Sequence, residues 1–167
     1  MSHQEHRAAS PQHVRCYVLT VSDSRTEKND TGGRLLRDVL AGDGHQVVGH
    51  AIVPDEAVTL RAAIERQLDA EEVQAVITTG GTGLSRRDGT YEVVSELIEK
   101  RLDGFGELFR ALSFEEIGPA AMLSRACAGT ARGTILISLP GSQNAVRLGM
   151  TKLVLPELGH LVREVTR

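Results

Sequence analysis

Residues 75–88 read Ala-Val-Ile-Thr-Thr-Gly-Gly-Thr-Gly-Leu-Ser-Arg-Arg-Asp and join a strand-like stretch to a helical pattern that begins at Tyr91. Three closely spaced glycines at this turn allow backbone conformations closed to other residues, and they let main-chain N–H groups approach a ligand. Asp88 adds oxygen ligands of the kind that Mg²⁺ prefers beside phosphates. The stretch therefore predicts a phosphate site in an α/β protein. A tight turn that serves only helix–sheet packing is the alternative.

The loop differs from two familiar phosphate-binding motifs. It lacks the lysine of a Walker loop, and its glycines do not have the spacing of a dinucleotide-binding fingerprint. The rest of the chain must therefore decide what kind of phosphate site this is.

Strand and helix patterns alternate on both sides of this turn. We predict strands and helices at the following residues: strands at 14–21, 46–53, 75–79 and 134–139, and helices at 33–40, 56–68, 91–102, 119–128, 144–154 and 156–165. A capping-box sequence at residues 113–116 is typical of a helix start. Strands separated by helices imply right-handed crossovers and a mainly parallel sheet covered on both faces, which is a three-layer α/β sandwich.

Composition limits the classes of function. The 167 residues fit one domain, assigned to residues 14–167, after a polar arm at residues 1–13 that we expect to be disordered. Aromatic residues make up only 3% of the chain and its net charge is −3, which disfavours nucleic acid as a partner. No signal peptide or apolar span of membrane length is visible, so we expect a cytoplasmic protein without a membrane partner, and Cys16 as a buried free thiol.

Polar loops follow each predicted strand. In parallel sheets, ligands bind outside the carboxyl ends of the strands, so we expect four loops to converge on one rim. These loops are residues 22–24, 54–56, 80–88 and 140–142. They contain hydroxyls, glycines and carboxylates and little apolar bulk, which favours an active site.

Asp55 and Asp88 form the best pair of carboxylates on these loops. Two carboxylates at a phosphate site most economically hold Mg²⁺, which offsets charge on phosphate oxygens. The alternative for Asp55 is a helix N-cap before Glu56, and the alternative for Asp88 is a turn residue in Asp-Gly. Spacing alone leaves both alternatives open.

The other candidates have similar alternatives. Asp23, between Ser22 and Ser24, can contact a ligand or cap a turn. Asp30 is an N-cap candidate, and Ser142 can donate to an anion or cap a helix.

Together the loops resemble the molybdenum cofactor biosynthesis family often called MoaB/MogA, which includes the G domain of plant and animal molybdenum-insertion proteins. The matching motifs occur in family order and are as follows: Thr20-Val-Ser-Asp-Ser24, Asp30-Thr-Gly-Gly33, Val53-Pro-Asp-Glu56, Thr79-Gly-Gly-Thr-Gly83 with Arg87-Asp88, Gly104-Phe-Gly-Glu107 with Phe109-Arg110, Leu123-Ser-Arg-Ala126 and Leu139-Pro-Gly-Ser142. One such motif is weak evidence, whereas seven in order are highly specific.

The resemblance implies an enzyme that adenylylates the terminal phosphate of molybdopterin with Mg·ATP and releases pyrophosphate. Asp55 and Asp88 would be the catalytic, Mg²⁺-positioning carboxylates. Molybdopterin and nucleotide would be bound by the loop residues Ser22, Asp23, Ser24, Asp30, Gly80, Gly81, Thr82, Gly83, Pro140, Gly141 and Ser142. The family forms trimers and sometimes hexamers, and other proteins of molybdenum cofactor biosynthesis are candidate partners.

Two departures from the family pattern bear on activity. Many active members have proline where this chain has Tyr91, and residues 109–117 resemble the MoaB branch, in which a transferase role is not assured. The alternative is a catalytically silent molybdopterin-binding or carrier paralogue, and an unrelated phosphate-binding regulatory module is a third hypothesis. An apolar cluster in the carboxyl half predicts a subunit interface, and its residues are Phe105, Leu108, Phe109, Leu112 and Phe114.

Overall fold

The computed structural model describes residues 8–167, which fold around one six-stranded sheet. The strands are β1 Arg15–Val21, β2 Gln46–Val53, β3 Ala75–Thr79, β4 Lys100–Arg101, β5 Cys127–Ala131 and β6 Thr134–Leu139. Their order across the sheet is β2-β1-β3-β6-β5-β4. The first four strands in this order run parallel, and β5 and β4 are antiparallel to their neighbours. The predicted mainly parallel sheet is confirmed.

Helices cover both faces of the sheet. They are α1 Thr31–Gly42, α2 Ala57–Leu68, α3 Thr90–Leu97, α4 Asp103–Ile117, α5 Gln143–Gly149 and α6 Leu155–Val165. A 3₁₀ segment, Gly118–Leu123, follows α4, and a π-helical turn, Met150–Val154, joins α5 to α6. Among residues 8–167, no helix is long and apolar enough to cross a membrane.

Two hydrophobic clusters, one on each face, hold the three layers together. On one face, α1, α4, α5 and α6 pack on the sheet through side chains such as Leu36, Phe109 and Leu158. On the other face, α2 and α3 pack through Ile64 and Val94, among others. The sheet lies between the two clusters, so the predicted three-layer α/β sandwich is confirmed.

The sequence prediction is wrong at residues 98–102 and for the helix start at 113 and the helix at 119–128, whereas α4 bears out the mostly helical character expected after Gly104. Helix α3 ends at Leu97 instead of residue 102, because the chain leaves it to form the edge strand β4. The N–H of Glu99 donates to the carbonyl of Thr130 at 2.8 Å, and that of Leu102 donates to the carbonyl of Ala128 at 2.8 Å. The apolar residues continue at helical spacing to residue 102, but these hydrogen bonds to β5 decide the structure. Pairing with a distant strand can override the local preference for a helix.

The two helix starts predicted after Gly104 also need correction. Ser113 lies inside α4 and is buried, so residues 113–116 do not cap a helix. The predicted helix at residues 119–128 is only the 3₁₀ segment, after which the chain enters the unpredicted strand β5. Small residues such as Ala128 and Gly129 concealed the strand pattern, which normally depends on bulky β-branched side chains.

Part of the predicted N-terminal arm, residues 1–7, lies outside the described residues. In the described part, the side chain of His13 hydrogen-bonds the carbonyl of Gly44 at 2.7 Å. A side chain at Gly159 in α6 would overlap the carbonyl of Pro11. The polar composition of this segment did not predict such contacts with the domain.

Gly149 and Gly42 provide a matched test of the core, since each is the last residue of a helix. A Cβ at Gly149 would lie 2.6 Å from Leu139 Cδ2 and 3.3 Å from Phe109 Cε2, whereas a Cβ at Gly42 would meet nothing within 4 Å. We expect Gly149→Ala to lower the free energy of unfolding by about 1–3 kcal/mol through overpacking. Gly42→Ala should be neutral or slightly stabilising. Urea unfolding measures both, and equal effects would contradict this account of the packing.

Candidate functional site

The four strand-exit loops meet at one edge of the sheet. The N–H of Asp55 donates to the Asp23 carboxylate at 3.1 Å, which joins the loops after β1 and β2. The N–H of Gly80 donates to the carbonyl of Leu139 at 2.9 Å, which joins the loops after β3 and β6. The N–H of Gly89 donates to Asp55 Oδ1 at 3.1 Å and links the two pairs. The predicted convergence is therefore present in the structure.

A cavity of about 340 Å³ opens between the ends of β1, β3 and β6. Its lining is Thr20, Val21, Ser22, Arg25, Asp30, Gly32, Thr79, Gly80, Gly141 and Ser142. This set contains the predicted binding residues Ser22, Asp30, Gly80, Gly141 and Ser142. The other predicted binding residues lie beside this cavity on the same loops and do not line it; they are Asp23, Ser24, Gly81, Thr82, Gly83 and Pro140.

Glycine is required at the first two positions of the loop after β3. Gly80 has φ +103° and Gly81 has φ +70°, in the left-handed region that favours glycine. A side chain at Gly80 would overlap the carbonyl oxygen of Val21. A side chain at Gly81 would overlap the Thr90 hydroxyl, and its Cβ would lie 2.7 Å from Asp55 Oδ2.

The same loop has unused hydrogen-bond donors. The N–H groups of Gly81, Thr82 and Gly83 donate to no acceptor among residues 8–167. The buried hydroxyl of Thr90 also lacks a partner in this part of the chain. Backbone N–H groups left free in a glycine turn are the usual donors to a bound phosphate. The loop therefore has the donors that its sequence predicted.

Asp30 and Ser142 each cap a helix, which was the alternative to a role in ligand binding. Asp30 Oδ1 accepts from the N–H of Gly33 at 3.0 Å and caps α1, and its Oδ2 accepts from the Thr20 hydroxyl at 2.7 Å. Ser142 Oγ accepts from the N–H of Ala145 at 3.2 Å and caps α5.

The two serines around Asp23 shape a turn. Ser22 Oγ accepts from the N–H groups of Ser24 at 3.2 Å and Arg25 at 3.1 Å. Ser24 itself is exposed and gives its N–H to this turn. Ser22 therefore both shapes the turn and lines the cavity.

Asp55 is buried and does not cap α2. The cap is Glu56, whose carboxylate accepts from the N–H groups of Val58 and Thr59. The N-cap alternative for Asp55 is therefore wrong. Burial raises the pKa of Asp55, the hydrogen bond from Gly89 lowers it, and the negative charges of Asp88 and then Asp23 raise it further. A carboxylate with a raised pKa among other carboxylates is a typical feature of a functional site.

Asp88 lies at the other end of the glycine loop. Its Oδ2 accepts from the N–H of Ser85 at 2.9 Å. The side chain therefore does stabilise a turn, which was the alternative to a role in metal binding. The same oxygen lies 2.7 Å from the Cβ position of Gly83. Asp88 therefore closes the loop. Gly89, the next residue, donates its N–H to Asp55, so the loop brings both carboxylates to the same rim.

Arg87 pairs with Asp23 across the rim, a contact that the sequence did not predict. Arg87 Nε and Nη2 donate to the two Asp23 oxygens at 2.9 and 2.8 Å. This bidentate guanidinium lowers the pKa of Asp23, so the carboxylate stays ionised.

Mg²⁺ is compatible with the side chains at this site. Among residues 8–167, no group of three or more His, Cys, Asp and Glu side chains is arranged to hold a metal ion. Mg²⁺ needs fewer protein ligands, because it commonly binds one or two carboxylates together with substrate phosphates and water. Asp55 Oδ2 and Asp88 Oδ1 accept no hydrogen bond from the described residues, so one oxygen of each carboxylate is available.

Arg125 binds carbonyl groups of the glycine loop. The sequence did not predict this contact, because Arg125 is about 40 residues away from the loop along the chain. Its guanidinium donates to the carbonyl of Gly83 at 2.6 and 3.1 Å and to that of Asp88 at 3.1 Å. It also forms an ion pair with Glu92. The motif Leu123-Ser-Arg-Ala126 was the one feature of the sequence that could have drawn attention to it.

Comparison with known proteins agrees with this geometry. A protein family described as "Probable molybdopterin binding domain" matches residues 17–160. The chain belongs to this family. It is 48% identical to molybdenum cofactor biosynthesis protein B of Bacillus cereus over 168 aligned positions, which cover 100% of this chain and 99% of the relative. The protein of the same name from Bacillus subtilis is 46% identical over 100% of this chain and 99% of its own length.

Solved structures have the same fold. A crystal structure of a molybdenum cofactor biosynthesis protein B is 48% identical, with a TM-score of 0.91 over 95% of this chain and 99% of that one. The tungsten cofactor synthesizing protein MoaB from Pyrococcus furiosus is 38% identical, with a TM-score of 0.81 over 95% of this chain and 100% of that one. A structure of MogA is 27% identical, with a TM-score of 0.81 over 90% of this chain and 99% of that one. The resemblance to the MoaB/MogA family is confirmed.

The electrostatics of Asp55 predict how stability depends on pH. Because its pKa is higher in the folded protein than in the unfolded chain, its stabilising contribution is present at low pH. It is lost as the pH rises from the unfolded pKa, about 3.9, through the folded pKa. Relative to the wild type, Asp55→Asn should therefore become more stable as the pH rises from about 4 through the folded pKa of Asp55.

Thermal unfolding of both proteins across this range measures the difference. Asp38→Asn, at an exposed position of α1, is the control for loss of a surface charge. An offset for Asp55→Asn that does not change with pH would contradict the raised pKa.

Proposed function

We propose that this protein, a member of a molybdenum cofactor biosynthesis family, transfers the adenylyl group of ATP to the terminal phosphate of molybdopterin. The observation that carries the proposal is the glycine loop, in which free N–H groups lie beside the carboxylates of Asp55 and Asp88. Loop and carboxylates together suit a reaction between phosphate groups. Family membership supports molybdopterin as the acceptor.

The reaction needs alignment more than acid–base chemistry. An oxygen of the molybdopterin phosphate forms a bond to the α-phosphorus of ATP, and the bond to the β-phosphate breaks, so its electron pair leaves with pyrophosphate. The attacking phosphate is already an anion, so no side chain has to remove a proton. Catalysis then rests on positioning and charge neutralisation.

Different residues of the rim bind the phosphate, the remainder of the substrate and the metal ion in this proposal. The N–H groups of residues 81–83 hold a phosphate, and the cavity beside Ser22 and Asp30 takes the remainder of a substrate. Asp55 and Asp88 are the residues that would hold the Mg²⁺ of Mg·ATP, and the metal would supply neutralisation of charge on the phosphates. The free oxygens on both carboxylates support this assignment.

A silent molybdopterin-binding or carrier protein is the second candidate function. It is favoured by the names of the similar relatives, since proteins called biosynthesis protein B are 45–48% identical whereas MogA is 27% identical. This similarity favours the MoaB branch, in which a transferase role is not assured. Binding and transfer would use the same loops, so Asp55 and Asp88 are the residues whose replacement separates the two functions.

Asp88→Asn is the first test of transfer, because it removes the charge and keeps the size of the side chain. Molybdopterin should still bind, since its phosphate is held mainly by backbone N–H groups. Pyrophosphate release from Mg·ATP in the presence of molybdopterin should fall about 10²-fold or more, the usual scale for losing a preorganised electrostatic contact. Asp55→Asn should behave similarly, and the double variant should lose much less than the product if both residues serve one metal.

Asp38→Asn is the matched control, and it should leave both binding and transfer unchanged. Normal transfer by Asp88→Asn would reject its role in holding Mg²⁺. A wild-type protein that binds molybdopterin but never releases pyrophosphate would establish the carrier function instead.

An exposed apolar surface supports the proposal of a homotrimer or homohexamer. The predicted cluster divides in the structure: Phe105 and Phe109 are buried in the core, and Leu112 packs against it. Leu108 and Phe114 remain exposed, and the neighbouring exposed residues are Ile117, Met122 and Leu123. Large exposed apolar side chains concentrated in one helix and the 3₁₀ segment that follows it are a typical feature of association surfaces.

Phe114→Glu should convert the oligomer to monomers, since Phe114 is 58% exposed and a charge there would be costly to bury between subunits. Sedimentation equilibrium at micromolar concentration measures the mass. Val58→Glu is the control, because Val58 is 75% exposed on α2 and lies outside this surface. A wild-type protein that sediments only as the 18.0 kDa chain would contradict the proposal.

A further inference from the structure

A second cavity, of about 260 Å³, lies beyond the glycine loop between α3, the start of α4 and β5. Its lining includes Arg101, Arg110, Arg125 and Tyr91. It shares no lining residue with the cavity at the strand ends. The proposed transfer reaction gives it no role.

Two motifs that the proposed function leaves unused meet in this cavity. Arg110 comes from the motif at residues 104–110 and donates to the carbonyl of Ala126, in the motif at residues 123–126, at 3.1 Å. A Cβ at Gly106 would lie 2.7 Å from Arg110 Nη2 and 3.0 Å from the Ala126 oxygen. Glycine at this position therefore lets the guanidinium approach the helix and lie in the cavity wall.

The charges in the cavity are not balanced by the described residues. Arg101 pairs with Asp103, and Arg125 pairs with Glu92. Arg110 is half-buried, has no carboxylate partner among residues 8–167, and uses only Nη1 in a described hydrogen bond. Removing a charge from water is unfavourable unless a partner compensates it, so a partly buried, unpaired guanidinium beside two other arginines favours an anionic ligand.

We propose that this cavity binds a phosphate group, with Arg110 as the main ligand and Arg101 and Arg125 at its sides. Planar guanidinium groups recognise phosphate oxygens through paired N–H donors. The group can come from a free anion, such as phosphate or pyrophosphate, or from the tail of a nucleotide. Since Arg125 also holds the carbonyls of Gly83 and Asp88, a ligand here touches a side chain that positions the glycine loop.

Tyr91 makes the proposal directly measurable. The chain has two tyrosines and no tryptophan, so Tyr17→Phe leaves Tyr91 as the source of intrinsic fluorescence. The guanidinium of Arg125 lies 5.0 Å from the centre of the Tyr91 ring, and that of Arg101 lies 5.9 Å from it. An anion bound between these groups should change the emission of the ring. The Tyr17→Phe protein is titrated with phosphate, pyrophosphate and ATP without Mg²⁺, with chloride keeping the ionic strength constant.

We expect a saturable change in emission with at least one of these anions. Arg110→Met should weaken it about tenfold to a hundredfold, the effect of losing a charge-assisted hydrogen bond. Arg132→Met is the matched control and should leave it unchanged, because Arg132 pairs with Glu65 and Asp69 away from the cavity. A response to the inorganic anions assigns the site to a free anion, and a response to ATP alone assigns it to a nucleotide.

The absence of any saturable response would overturn the proposal. An equal response in Arg110→Met would also overturn it, because the phosphate would then be bound at the glycine loop. Arg101→Met, at an exposed position, gives a second test that does not disturb the core and should also weaken binding. Neither result depends on adenylylation, so failure here leaves the proposed reaction untouched, and failure of that reaction leaves this site untouched.

Discussion

The site depends on how closely the backbone of three parallel strands approaches where the strands end. At Gly80 a side chain would overlap the carbonyl of Val21, and a Cβ at Gly32 would lie 2.8 Å from the carbonyl oxygen of Gly141. These are contacts with main-chain atoms, so no change of rotamer could relieve them. The rim therefore tolerates only glycine at these points, and the register of β1, β3 and β6 determines where the loops lie.

The position of the carboxylates follows from this rim. Glu56 caps α2, which leaves the carboxylate of Asp55 to face the glycine loop. A buried carboxylate near Asp88 and Asp23 is unfavourable in the protein alone, and this is why its pKa is raised. A bound cation would remove that penalty, so the arrangement is better suited to the liganded protein than to the free one. Such a mismatch is common where a protein has been selected for binding or catalysis.

The parts of the fold that could be predicted are those in which local pattern and tertiary environment agree. The central strands have continuous apolar runs because helices cover both faces. Asp55 and Asp88 could be selected as candidates because polar residues follow such runs. The prediction failed where long-range pairing decides the structure, as at β4 and at the small-residue strand β5. Arg125 was missed for the same reason: it contacts carbonyls about 40 residues away, and no local period encodes such a contact.

The contacts of Arg125 help to orient the free N–H groups of the glycine loop. In a trans peptide unit, the carbonyl and the N–H point in opposite directions. Arg125 Nε donates to the carbonyl of Thr82 at 3.4 Å, and Nη2 donates to that of Gly83 at 2.6 Å. The N–H groups of Gly83 and Leu84 therefore point away from the guanidinium, toward the other side of the loop. A positive side chain outside the loop thus orients donors inside it, and the same guanidinium would partly offset the charge of a phosphate bound there. Ligand binding and phosphate chemistry would both depend on this arrangement, whichever of the two the protein performs.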